Sequence, residues 1–138
     1  MGKKIIITGG LGYIGTELCK IYSGYSWNDN ITVIDNRFIS ERVNQLRNWN
    51  INFIQGNILD KELINKYCKD ADIIHHLAGI TKVPRVQSES NDQTNQEIKL
   101  IAEKGTQNIL DVISDNCKII LPSTHVVYEG ISHVKKDI

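Results

Sequence analysis

Charge of one sign is what this sequence most lacks. Sixteen Lys and Arg against sixteen Asp and Glu leave a formal net charge of zero, and no stretch is strongly biased. Without the long-range attraction that basic or acidic chains exert on nucleic acids and membrane surfaces, no nucleic acid and no membrane is expected as partner, and a small molecule is. Long apolar runs are missing too. No segment approaches the roughly 18 residues that a membrane span needs, and a first strand entered by Lys3 or Ile5 leaves no room for a signal peptide, so a cytoplasmic location is expected. Cysteine is scarce: Cys19, Cys68 and Cys117 are odd in number and scattered, in segments that read as helix, helix and strand. That suits reduced buried thiols better than a disulfide or metal framework. No internal repeat or low-complexity linker appears. A length of 138 residues suits one domain that buries most of its apolar surface and leaves no space for a second large one.

What the chain does have is an apolar run, Ile5-Ile6-Ile7, that stops at a glycine cluster and resumes with helical spacing. It reads as strand, loop, helix. Gly10, Gly12 and Gly15 satisfy the G-x-G-x-x-G pattern, and Thr8, Gly9, Gly12 and Gly15 the more restricted T-G-x-x-G-x-x-G. Glycine is needed there because a pyrophosphate must approach backbone amides at a helix N-terminus, where a Cβ would collide and where the helix dipole favours an anion.

Short β-branched runs alternate with longer segments of helical character, the pattern of parallel strands joined by helices. Strands are predicted over Lys4–Thr8, Ile31–Asp35, Ile51–Gln55, Ala71–Leu77 and Lys118–Ser123. Helices are predicted from Tyr13 to about Ser23, around Glu41 to Asn48, from about Asp60 to Cys68 with Asp60 as N-cap, and from about Gln93 to Asp115. Strands one, two, four and five are near-continuous apolar runs, so helices should cover both sheet faces. The fold class that follows is α/β, a Rossmann-type doubly wound parallel sheet of order 3-2-1-4-5, with the glycine loop at the carboxyl edge beside the topological switch point.

Asp35 ends strand two, 20 residues beyond Gly15, where a carboxylate can accept hydrogen bonds from the adenosine ribose hydroxyls of NAD and repel a 2′-phosphate. Arg37, two residues on, could instead receive that phosphate, so NAD is the expected cofactor and NADP the lesser one.

Thr8 to Gly15, Val33 to Asn36, Gly56 to Asp60, His76-Leu77-Ala78-Gly79 and Ser123 to Tyr128 together resemble the N-terminal half of an extended short-chain dehydrogenase/reductase. The branch is that of the NAD-dependent nucleotide-sugar epimerases and dehydratases. The resemblance implies that Gly9, Gly12, Tyr13, Ile14 and Gly15 cradle the pyrophosphate, that Asp35 and Asn36 hold the adenosine ribose, and that Asn57 and Ile58 flank the adenine. Asn57 stands where the family usually has Asp; an amide can still bond an adenine edge. Leu77, Ala78 and Gly79 would line the dinucleotide groove, Lys82 or Thr81 would reach the ribose nearest the nicotinamide, and Ser123 would be a backbone or cofactor contact. Thr124, four positions before Tyr128, would share a hydrogen bond with the sugar hydroxyl being oxidised and steady its developing negative charge.

The departures from the family are as informative. No Tyr here has Lys four residues later, so the family's Y-x-x-x-K base is absent, and the last Rossmann strand and the C-terminal sugar-recognising domain are expected to lie outside the chain. His125 and Val126 stand where the dehydratases carry Asp and Glu, which leans toward an epimerase or a simple oxidoreductase. Ala102 replaces the Asn of N-x-x-G-T, leaving Gly105 as a helix-packing residue. His75 and His76 face opposite sides of a strand and cannot chelate together, so no metal is expected. The expectation is the NAD-binding portion of a nucleotide-sugar epimerase-like enzyme, inactive alone and self-associating through an uncovered edge at strand five. The alternative is a non-catalytic NAD-responsive regulatory or scaffold module.

Overall fold

The computed structural model describes residues 2–25, 29–80 and 92–124. Five parallel strands form one sheet in the order β3-β2-β1-β4-β5: β1 Lys4–Thr8, β2 Asn30–Asp35, β3 Asn52–Gln55, β4 Ile73–His76 and β5 Lys118–Ile120. Four helices join them: α1 Tyr13–Tyr25, α2 Ser40–Asn48, α3 Lys61–Cys68 and α4 Asp92–Leu110. The expected order and sequence of elements hold.

Successive side chains of a strand point to opposite faces, and β1 shows what that does here. Ile5 and Ile7 enter a core with Val33, Cys19 of α1 and Val43 and Leu46 of α2. Ile6, between them, enters a second core with Ile34, Ile74, Ile64 and Cys68 of α3 and Ile109 of α4. The central strands are therefore buried along nearly their whole length, because each face meets its own helix layer. Asp60 caps α3 as its sequence position suggests, its Oδ1 accepting from the amides of Glu62 and Leu63 at 3.1 Å each.

Three expectations need correction. Strand five ends at Ile120 instead of Ser123, because Pro122 has no N–H to extend the ladder and the last β4 partner, His75, is already paired with Ile120. That strand is not covered on both faces either: Lys118 and Ile120 are exposed, and among the described residues β5 pairs with β4 alone. The last helix stops at Leu110 instead of Asp115, and the chain turns through Asp111 to Asn116 so that Lys118 can donate to the carbonyl of Asp72 at 2.9 Å. Cys117 consequently lies ahead of β5, half-buried, while Cys19 and Cys68 are buried; all three are free thiols. Burial pushes the Cys19 and Cys68 thiols up to about 12.

Candidate functional site

The carboxyl ends of β1, β2 and β4 open onto a groove of about 640 Å³. Its floor is the glycine loop. Gly9 has a φ of +72°, a region favoured by glycine, and a Cβ there would meet the Ala78 amide nitrogen at 2.7 Å. Gly15 lets the first turn of α1 pack on the loop, since a Cβ would stand 2.6 Å from Gly10 Cα and 2.7 Å from the Gly9 carbonyl oxygen. Gly12 donates to that same carbonyl at 3.0 Å and accepts from the Thr16 amide at 2.9 Å and its hydroxyl at 2.7 Å. The amides at the start of α1 precede the first intrahelical bond and are presented at the positive end of the helix dipole. Tyr13 and Ile14 stand exposed at the mouth.

Asp35, at the end of β2, adjoins the loop. It is buried at 4% exposure, and its carboxylate accepts from the Leu11 amide at 3.1 Å and the Arg37 amide at 3.0 Å. The Arg37 guanidinium forks onto it, Nε at 3.2 Å and Nη2 at 3.3 Å, and this bond raises the Arg37 pKa. Arg42 of α2 donates to the Leu11 carbonyl. The loop residue Leu11 is thus held at its amide by β2 and at its carbonyl by α2.

The groove's third side is the end of β4. Leu77 donates its amide to the Thr8 carbonyl at 3.0 Å, and Ala78 its amide to the Thr8 hydroxyl at 3.2 Å. Behind them His76 spans two layers, with Nδ1 2.7 Å from the Thr8 hydroxyl and Nε2 3.0 Å from the Thr106 hydroxyl of α4. His75 faces the other way, its Nε2 2.7 Å from the Tyr22 hydroxyl of α1. Desolvation lowers both imidazole pKa values. Among the described residues no group of His, Cys, Asp and Glu could hold a metal ion.

The structure brings Gly9, Gly12, Tyr13, Ile14, Gly15, Asp35, Asn36, Asn57, Ile58, Leu77, Ala78 and Gly79 together along this single groove. Asn57 spends its Oδ1 on the Leu59 amide at 2.9 Å. Ile58 is pinned from α4, where Asn108 Nδ2 donates to its carbonyl at 3.0 Å and where a Cβ on Gly105 would stand 2.2 Å from its Cδ1. Gly105 is the helix-packing residue its context suggests. Pro122 reaches the groove wall, while Ser123 and Thr124 follow it as exposed residues outside that lining. Lys82, Thr81, His125 and Tyr128 lie outside the described residues.

Sequence reasoning missed the Thr8–His76–Thr106 chain, Asn108 and Arg42. The proximity of Arg37 to Asp35 was visible as an i, i+2 spacing; the others pair residues between 30 and 68 positions apart, and nothing local marks them.

Residues 6–133 match the 3-beta hydroxysteroid dehydrogenase/isomerase family. The chain belongs to this family. It corresponds to the N-terminal Rossmann portion of an extended short-chain dehydrogenase/reductase of the epimerase/dehydratase kind. Among curated proteins it is 34% identical to the dTDP-D-glucose 4,6-dehydratase of Dictyostelium discoideum, over 91% of this chain and 30% of that protein. It is 32% identical to the CDP-paratose 2-epimerase of Salmonella typhi, over 96% of this chain and 40% of that protein. The chain therefore spans well under half the length of these relatives. Among solved structures, the UDP-glucose-4-epimerase of Stenotrophomonas maltophila, with bound NAD and formylated UDP-arabinopyranose, superposes with a TM-score of 0.74 at 20% identity, over 96% of this chain and 40% of that one. That likeness establishes the fold of this family member. No helix among the described residues is long and apolar enough to cross a membrane.

Proposed function

We propose that this chain is the NAD-binding part of a nucleotide-sugar epimerase-like oxidoreductase. The observation that carries the reading is one groove holding both a glycine loop with no room for a Cβ at Gly9 or Gly15 and, bonded to that loop at Leu11, the buried carboxylate of Asp35. The loop has room for a pyrophosphate against backbone amides at a helix N-terminus, and Asp35 is the acceptor that a ribose hydroxyl requires. A bound NAD would supply the hydride acceptor for oxidation at the carbon bearing the sugar hydroxyl. This chain's own share is to hold the pyrophosphate at Gly9 to Gly15, to receive the adenosine ribose at Asp35 and Asn36, and to flank the adenine with Asn57 and Ile58. Thr124 would bond the reacting hydroxyl, with Lys82 and Ser123 on the nicotinamide side. The NAD-bound and sugar-nucleotide-bound fold relative supports the choice of ligands.

No Tyr in the sequence is followed four residues later by Lys, so the polypeptide taken alone should bind NAD without turning over UDP-glucose. The same absence favours, as a second reading, an NAD-responsive module with no chemistry of its own. Calorimetric titration with NAD, with Asp35→Ala beside the parent, tests the site: binding by the parent and its loss in the variant are expected. Equal binding by both sinks the assigned pocket, and measurable epimerisation by the isolated chain sinks the claim of inactivity.

A further inference from the structure

A second cavity, of about 280 Å³, lies at the amino end of β2, away from the dinucleotide groove at the carboxyl end. Asp29 precedes that strand and Asp35 ends it, so about 20 Å of extended chain separates the two sites. The charges around the cavity agree in sign. The last turn of α1 and the C-cap of α2, Trp49, both border it, and a helix C-terminus carries the negative end of the dipole. No basic residue in the last turn of α1 offsets this. Asp29 adds a full negative charge: Oδ1 accepts from the Lys3 amide at 2.7 Å, and the carboxylate has no ion-pair partner among the described residues. Much of the remaining wall is aromatic. Tyr22 and Trp49 are half-buried, each packed against the core of Ile5, Ile31 and Val33. Tyr22 is fixed at its hydroxyl, 2.7 Å from His75 Nε2, and burial together with Asp29 raises its pKa. Trp49 is set by the end of α2, where Asn50 takes a φ of +57° and donates its amide to the Arg47 carbonyl at 3.0 Å.

We propose that this cavity binds a guanidinium group, held by Asp29 between the aromatic residues Tyr22 and Trp49. The negative surroundings exclude an anion, and the rings favour a planar, weakly hydrated cation over a compact ammonium. A guanidinium is attracted to aromatic faces, to Trp most of all, and its N–H fork meets a carboxylate in two parallel bonds. Asp29 has the capacity for that fork, since Oδ1 keeps a lone pair beyond the Lys3 amide and Oδ2 is unused by the described residues. The volume lies at the lower end of small-molecule pockets and suits a ligand the size of one side chain. Two bearers offer such a group, a free guanidine metabolite and an arginine on the surface of a partner protein. Neither touches the dinucleotide groove, so the inference stands apart from the cofactor reading.

Titration of the isotope-labelled full chain, followed by NMR, tests this with three probes: agmatine as the free guanidine, N-acetyl-arginine amide as the protein-borne one, and tetramethylammonium as a cation without a fork. Saturable shifts are expected at Asp29, Ile31, Asn50 and the Trp49 indole, with a Kd of about 1–10 mM for a guanidinium probe and no shift at Gly9 to Gly15. The tighter of the two guanidinium probes names the bearer. Asp29→Asn keeps an acceptor for the Lys3 amide but removes the charge, and should weaken binding at least about tenfold, as loss of a charged hydrogen-bond partner does. Trp49→Phe should weaken it about threefold and identifies the indole signal, since the sequence has two Trp; it carries the test if the Asp29 variant does not fold. Shifts that never saturate, parent-like affinity in both variants, or tetramethylammonium bound as tightly as agmatine each overturn the proposal. NAD titrated into the same sample separates the two sites: loss of NAD binding alone strikes the groove reading, and loss of guanidinium binding alone strikes this one.

Discussion

The Thr8 hydroxyl and His76 Nδ1 meet at 2.7 Å in a buried seam between β1 and β4, and the same hydroxyl accepts the Ala78 amide that edges the groove. One side-chain contact therefore ties the wall of the binding groove to α4, through the second imidazole nitrogen and Thr106.

His76 makes stability pH-dependent. Burial lowers its pKa below the ordinary 6.5 in the folded chain, so the unfolded state binds the extra proton first, and stability should fall as pH drops through 6.5 toward the folded value and be at its full level above it. His75, lowered for the same reason, acts in the same direction. Thermal unfolding between pH 8 and 5 should show a falling melting temperature on the acid side. In a His75→Gln, His76→Gln double variant that slope should flatten; an equally steep slope there would falsify the assignment.

Gly9→Ala combines positive φ with a clash against backbone. The added Cβ meets the Ala78 nitrogen at 2.7 Å and its Cα at 2.8 Å, atoms that cannot rotate aside. A loss of about 1–3 kcal/mol in stability is expected from the conformation alone, together with loss of NAD binding in calorimetry. Gly79→Ala, where an added Cβ meets no atom of the described residues within 4 Å, is the matched control and should leave urea unfolding nearly unchanged.

Asn108→Ala removes the donor to the Ile58 carbonyl across 50 residues of sequence. Asn108 is 5% exposed, so the orphaned carbonyl should cost about 1–3 kcal/mol in chemical denaturation. Because Ile58 borders the groove, the adenine end should loosen as well, raising the Kd for NAD and for ADP together. A variant as stable as the parent would remove Asn108 from any role in holding that loop.

The thiols should separate by reactivity. Cys19 and Cys68 are pushed up to about 12 by burial, which leaves almost no thiolate at pH 8. Cys117 is only half-buried, although burial and Asp72 raise its pKa too. Alkylation mapped by mass spectrometry should modify Cys117 first, and Cys19 and Cys68 only under denaturant. Uniform labelling of the native chain would contradict the placement of α1 and α3 over the two cores.

How much of this was readable beforehand depended on the range of the interaction. The ends of β1 and β2, the N-cap at Asp60 and the glycine register were legible because each is written within about a turn or a strand of sequence: an apolar run, a capping side chain, a spacing of three. The premature end of β5 was legible in principle, since Pro122 was there to be seen, but the apolar run through Leu121 outweighed it. His75 and His76 could be placed on opposite faces by alternation alone. Their partners could not, because Tyr22 and Thr106 reach them only after α1 and α4 pack on the two sides of the sheet.

Local pattern, then, settled the order of strands and helices, the two-sided burial of the central strands and the identity of the loop that closes on Gly9 and Gly15, since backbone sterics and hydrophobic periodicity act over a few residues. Packing decided the rest. Asp35 turned out to be filled by Leu11 and Arg37, His76 to be a bridge between layers, and Ile58 to be held by Asn108, because each of these depends on which distant groups the parallel sheet brings to its carboxyl edge, and burial there forces every polar group to find a partner.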